Sequence, residues 1–104
     1  MEDTNIDMMQ LGGNIQLIGF RSLEPAKLIV VKKIVGTYVK KLEEKTSKFE
    51  SISIHIKKVH NSEFEIQTNA IIGGKPYNSG LTNYNVFFAL DKTLSNVLEE
   101  VTHL

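Results

Sequence analysis

The chain has no cysteine and no tryptophan, only two prolines, and a single arginine among its twelve basic residues. Without thiols there is no disulfide framework, no thiolate nucleophile, no zinc ribbon and no iron–sulfur cluster, a composition compatible with a reducing compartment. With one guanidinium, at Arg21, bidentate recognition of bases or phosphates is not the expected way of gripping a polyanion. Long apolar runs are missing too. The densest, Leu28–Val31 and Val86–Leu90, span four and five residues, far short of the roughly 18 that a membrane helix needs. The start, Met1-Glu2-Asp3, is acidic and carries no apolar signal core. What is present is 104 residues, 41% apolar and 23% charged. That is enough for one packed core and too little for a catalytic domain plus a cofactor domain. A soluble, cytoplasmic, single-domain protein is expected.

Formal charge sums to zero, twelve basic against twelve acidic residues, but the signs are segregated along the chain. Between positions 27 and 58 lie nine lysines, Lys27, Lys32, Lys33, Lys40, Lys41, Lys45, Lys48, Lys57 and Lys58. They face only three acids, Glu43, Glu44 and Glu50. The ends are acidic, with Glu2, Asp3 and Asp7 in the first twenty residues and Glu99 and Glu100 in the last twelve. A concentrated basic face is the electrostatic footprint of a polyanion binder, although lysine-rich helix faces also serve simply as solvated surface.

Residues 1–12 show no apolar periodicity and read as a flexible N-terminal arm, followed by a single domain over 13–104. Asn14–Phe20 alternates as a half-buried strand does. Pro25 suits the first turn of a helix, with Ser22 or Glu24 as candidate caps. The helix should run to about Thr46, burying Leu28, Val31, Val35, Tyr38 and Leu42, with Ile34 and Val39 widening the stripe. Ser51–Lys58 is the clearest strand, its Ile52, Ile54 and Ile56 facing one way and Ser53, His55 and Lys57 the other. A turn at Val59–Ser62 leads into a strand over Glu63–Ile72, and Gly73-Gly74 marks a tight hairpin. Tyr77–Thr82 would be an edge or bulged strand because of Pro76 and Gly80. Asn83 or Asn85 caps a last helix whose stripe is Phe87, Leu90, Leu94, Val97, Leu98 and Val101. The expected fold is α+β: a two-layer sandwich in the order β-α-β-β-β-α, four strands with two helices packed on one face.

Catalytic constellations are missing. His55, His60 and His103 are not at metal-ligand spacing. Gly73-Gly74-Lys75-Pro76 fails as a phosphate loop, because Asn69 stands where a glycine is required and no hydroxyl follows the lysine. Asp91, Glu99 and Glu100 read as helix-surface carboxylates without an acid–base partner. Tyr77, Tyr84, Phe87 and Phe88 have the spacing of core residues more than of a base-stacking platform. No enzyme activity, metal, cofactor or small-molecule substrate is expected. The basic face survives: Lys33, Lys40 and Lys41 cluster opposite the buried helix stripe with Lys32 beside them, Lys45 and Lys48 continue past the helix end, and Lys57 and Lys58 close a strand.

Four stretches carry a likeness to a known family: the Gly-Phe end of the first strand; Val39-Lys40-Lys41-Leu42-Glu43; Ile52–Val59 with its paired lysines; and Gly73-Gly74 followed by Val86-Phe87-Phe88-Ala89-Leu90-Asp91. Together they resemble the ribosome hibernation-promoting factors, or ribosome-associated inhibitors, over about residues 13–101. The resemblance implies the same β-α-β-β-β-α fold and docking in the small-subunit channel where messenger and transfer RNA lie. It also implies RNA contact by Lys40 and Lys41, to which the charge pattern adds Lys32, Lys33, Lys45, Lys48, Lys57 and Lys58. The chain stops just after the second helix, as a short form of that family would. One departure is plain. After Asp91 the family continues with basic residues, whereas here Lys92 is followed by Glu99 and Glu100.

The leading expectation is therefore a non-enzymatic RNA-binding protein that modulates translation by occupying ribosomal RNA surface of the small subunit, as a monomer or weak dimer, without membrane association. The alternative is a protein-interaction module of the same fold whose sheet face or acidic second helix meets a partner.

Overall fold

The computed structural model describes residues 7–59 and 62–102. Strands β1 (Met8–Leu11) and β2 (Ile15–Ile18) lead through a 3-10 turn at Phe20–Ser22 into helix α1 (Pro25–Lys45). Strands β3 (Phe49–Lys58), β4 (Phe64–Ile72) and β5 (Lys75–Asn83) follow, and helix α2 (Val86–Thr102) closes the fold. The five strands form one sheet in sequential order, β1-β2-β3-β4-β5. All neighbours are antiparallel except β2 and β3, which are parallel. A parallel pair needs a long crossover, and α1 is that crossover.

The α+β sandwich stands, but with five strands instead of four. The additional strand, β1, falls inside the segment expected to be a flexible arm; of that segment, residues 1–6 lie outside the described residues. Met8–Leu11 is too short to show an alternating pattern by itself. It becomes a strand because Leu11 pairs with Ile15 across a turn at Gly12-Gly13-Asn14, with Gly12 at φ 68°. Met9 and Leu11 then pack against the core. The same two-glycine signal correctly marks the β4–β5 hairpin, where Gly73 and Gly74 take φ of 60° and 79° between the paired Ile72 and Lys75. Turns with positive φ at both central residues match the twist of the flanking strands.

Parity places the core. Ile52, Ile54 and Ile56 of β3, Ile66, Thr68, Ala70 and Ile72 of β4, Tyr77 of β5 and Leu17 of β2 are buried against Val31, Val35, Val39 and Leu42 of α1 and against Val86, Ala89, Leu90, Thr93, Leu94, Val97 and Val101 of α2. Both helices thus cover one face of the sheet. The opposite face, with Gln16, Ser53, His55, Lys57, Glu65, Gln67 and Asn78, is uncovered. Of the expected stripes, Leu28, Ile34, Tyr38, Phe87 and Leu98 are only partly buried at its margins.

Helix capping follows expectation at one end only. Asn85 Oδ1 accepts the backbone N–H groups of Phe87 and Phe88, at 2.9 and 3.2 Å. For α1 neither candidate caps by its side chain. Ser22 Oγ is turned back to donate to the Gly19 carbonyl, and Pro25, having no N–H, removes one of the donors that a cap would satisfy. β5 is indeed an edge strand, and its pairing with β4 runs unbroken from Lys75 to Asn83. The irregularity of the sheet sits elsewhere, at Phe49–Ser51 of β3.

Two consequences of topology position everything that follows. α1 runs antiparallel to β2 and β3, and α2 runs antiparallel to β5, itself parallel to β3, so the two helices are parallel and begin at the same end of the sheet. α1 crosses from β2 to β3, whereas α2 packs over β4 and β5.

Candidate nucleic-acid interface

Helix geometry, 100° per residue, distributes the lysines of α1 around its solvent side. Lys33 and Lys40 lie seven residues apart on one outward row, both exposed. Lys41 is carried on the flank facing α2, its ammonium 4.9 Å from the centre of the Tyr38 ring, a cation–π contact of the surface kind. Lys45 ends the helix, where the partial negative charge of the C-terminus favours a cation. Lys32 projects from the opposite flank, away from α2.

Between the helices Lys33, Ile34, Thr37, Tyr38, Lys41 and Asp91 line an open groove of about 250 Å³. Tyr38 Oη donates to Asp91 Oδ1 at 2.8 Å, so the acid within this cationic groove is engaged. Burial, the hydrogen bond to Asp91 and the Asp91 charge together push the Tyr38 phenol up to about 12. The phenol therefore stays neutral and a donor throughout the physiological range.

Lys48 continues the cationic end beyond α1. Its carbonyl accepts Gly73 N–H at 2.8 Å, and Glu50 Oε2 accepts Gly74 N–H at 2.7 Å. The β4–β5 hairpin is thereby pinned beside Lys48, which brings Lys75 to the same end of the molecule. Sequence reasoning misses Lys75 because it lies 27 positions from Lys48; the available signal was the glycine pair, whose turn needed something to hold it. The same contact consumes Glu50, one of the three acids within the lysine segment.

Lys57 and Lys58 do not join the Lys45–Lys48 end of this surface. β3 rises roughly 3.3 Å per residue, so its end lies about 30 Å from Phe49 and hence from Lys48. Lys57 also shares parity with Ser53 and His55, which puts it on the uncovered face of the sheet. The candidate lysines therefore divide into Lys33, Lys40, Lys41, Lys45 and Lys48 along the helix layer, Lys32 on its flank, and Lys57 and Lys58 apart. Among the described residues the ion pair present is Arg21 with Asp7, 3.7 Å apart, which engages none of these lysines.

The aromatic residues also divide. Tyr77 is buried and Phe87 partly so, but Tyr84 and Phe88 are 65% and 52% exposed. Tyr84 borders a shallow depression with Lys27, Phe64 and Asn85. Glu99 and Glu100 lie on α2 beside the β5 edge, lining a depression with Asn78, Ser79 and Asn96, across the width of the sheet from the outer flank of α1. Among the described residues no group of three His, Asp or Glu side chains could hold a metal ion, and no helix is long and apolar enough to cross a membrane. His60 and His103 lie outside the described residues.

This arrangement, two parallel helices on one face of a mostly antiparallel sheet with a single parallel pair, defines a two-layer α+β sandwich. It is similar to the solved structure of a ribosomal subunit interface protein from Coxiella burnetii, with a TM-score of 0.63 and 15% identity, over 88% of this chain and 96% of that one. The likeness is one of fold, and it agrees with the resemblance drawn from the sequence strings. No family model and no curated protein matches the sequence.

Proposed function

We propose that this protein associates with the ribosome and modulates translation by occupancy, its α1 lysines neutralising phosphates of the small-subunit RNA channel. The observation that carries this reading is the row of exposed lysines Lys33, Lys40, Lys41, Lys45 and Lys48, interspersed with Glu43 and Glu44 and extended by Lys75, on a fold similar to that of a ribosomal subunit interface protein. No bond is made or broken. Binding is driven by release of counterions from RNA, without cofactor or small-molecule substrate, and takes place in the cytoplasm. Exposed Tyr84 and Phe88 are available to stack on unpaired bases, at the end of the helix layer away from Lys48.

Lysines act as point charges on phosphate, so affinity should depend steeply on salt. Four such contacts give a slope near −3, a loss of roughly 60-fold between 50 and 200 mM salt. Co-sedimentation of the purified protein with small ribosomal subunits at two salt concentrations tests this. Salt-sensitive association abolished by Lys40→Glu/Lys41→Glu is expected. Absence of any ribosome peak in dilute buffer, or binding indifferent to both salt and the double substitution, would refute it. Salt-insensitive capture of a protein partner would instead favour the interaction-module reading, which the uncovered sheet face with its partly exposed Ile18 and Ile71 also accommodates.

A further inference from the structure

β5 is a nine-residue edge strand. Natural edges are normally blunted by shortness, charge or bulges, and β1, at the other side of the sheet, has only four residues. β5 carries its one charge, Lys75, at its very start and pairs with β4 without a bulge. The two-residue Gly73-Gly74 turn closes on the Ile72–Lys75 pair, and such a turn makes that pair a hydrogen-bonded one. Odd-numbered residues of β5 therefore direct N–H and C=O toward β4, while Pro76, Asn78, Gly80 and Thr82 direct theirs outward.

We propose that this edge, together with the flank of α2 beside it, docks a second copy of this chain in an antiparallel, two-fold symmetric pairing centred on Ser79. Two features meet at that centre, the strand register and the flank of α2. In this register Asn78 and Gly80 of one copy exchange both main-chain bonds with Gly80 and Asn78 of the other, so outward groups meet outward groups. Thr82 N–H then donates to the Pro76 carbonyl of the second copy. The proline lands at the end of the ladder, where its missing N–H costs least.

The helices fit the same axis. Asn96 Nδ2 donates to Ser79 Oγ at 3.0 Å, so the point of α2 nearest the axis is Asn96. α2 packs over β4 and β5, and across the joined sheets the two copies of α2 stand two strand spacings apart, roughly 10 Å, a normal helix–helix packing distance. Their directions are opposed, and antiparallel helices centred on Asn96 place Lys92 of one copy against Glu100 of the other, with Glu99 adjacent. That cation meets a prepared acidic surface: the depression of about 500 Å³ lined by Asn78, Ser79, Asn96, Glu99 and Glu100. The charge pattern is self-complementary, as an isologous contact requires. It also gives Glu99 and Glu100 a purpose that RNA contact does not. The α1 lysines lie on the other side of α2 from the β5 edge and remain exposed, so the dimer neither needs nor prevents the ribosome association proposed above.

Sedimentation velocity of the intact chain over a wide concentration range tests the pairing. The expected result is a reversible shift from the 11.7 kDa monomer to twice that mass. Lys92→Glu sets like charges together and should weaken the dimer roughly tenfold, as should Glu99→Lys/Glu100→Lys. The combined triple substitution restores complementarity and should return the wild-type constant. Asn78→Pro removes an N–H directed away from β4 and should weaken the dimer without altering the far-UV circular dichroism. A species that stays monomeric up to millimolar concentration would overturn the proposal. So would a dimer indifferent to both Lys92→Glu and Asn78→Pro, since it would use another surface.

Discussion

Tyr38 Oη donates to Asp91 Oδ1 at 2.8 Å, tying the middle of α1 to α2 across 53 positions of sequence. Burial first, then this bond and the negative charge of Asp91, hold the phenol's proton up to about 12, against 10.0 for an unperturbed tyrosine. The folded state thus keeps a proton that the unfolded chain releases near pH 10. Where the native state binds more protons, stability falls as pH rises. The contribution is complete below about pH 10 and is lost as pH climbs toward about 12. Urea midpoints measured across that window should decline more steeply for the wild type than for Tyr38→Phe. Equal slopes would show that the bond does not hold the proton in solution.

The buried hydroxyls of Thr68 and Thr93 form a second cross-element link, 2.8 Å apart between β4 and α2. Thr93 Oγ1 also donates to the Leu90 carbonyl at 3.0 Å, which spends its one proton and makes Thr68 the donor between the two. Thr93→Val should therefore strand the Thr68 hydroxyl in the core, costing about 1–3 kcal/mol. Thr68→Val/Thr93→Val should cost less than Thr93→Val alone. Chemical denaturation of the two variants checks the order, and a double variant less stable than Thr93→Val would contradict that coupling.

Gly19 and Gly36 should respond oppositely to alanine. Gly19 has φ 89°, and a Cβ there would be driven into the Ile56 carbonyl oxygen; a loss of at least about 1–3 kcal/mol is expected. Gly36 lies exposed in the middle of α1, where an added Cβ would meet nothing within 4 Å, so Gly36→Ala should gain about 0.5–1 kcal/mol. In a domain of this size 1 kcal/mol moves Tm by roughly 4–8 °C, so thermal unfolding resolves both shifts.

The geometry also ranks the lysines. Lys40→Glu/Lys41→Glu should lower the salt slope of RNA binding by about 1–2 units, in proportion to the phosphates lost. Lys57→Glu/Lys58→Glu, at the end of β3 about 30 Å from Lys48, should leave that slope nearly unchanged. Fluorescence anisotropy with a small-subunit RNA fragment measures both. Equal effects of the two double substitutions would show that binding answers to total charge and not to the α1 surface.

Much of the fold was legible because each long element carries its own periodicity. The alternation of Ile52, Ile54 and Ile56 and the three- and four-residue spacing along α1 and α2 are local facts that need no partner. β1 was not legible for the converse reason. Met8–Leu11 is a strand only because β2 lies beside it, and two exposed-to-intermediate pairs of residues show no usable pattern. Lys40, Lys41, Lys45 and Lys48 could be grouped from sequence because one helix and its exit carry them. Tyr84 and Phe88 could not be called exposed, since an aromatic beside a buried stripe looks the same on paper whichever flank it occupies.

By itself the sequence determined which side chains face inward, where the chain turns, and that positive charge is concentrated in the middle third. All of these follow from periodicity, glycine placement and composition, which act within a few residues. Only the tertiary structure decided what meets what. The extended β3 carries Lys57 and Lys58 to the opposite end from Lys48, while the hairpin pinned by Glu50 brings Lys75 beside it. Contacts of that kind depend on strand direction and register, and those are settled by burying one face of every element in a common core.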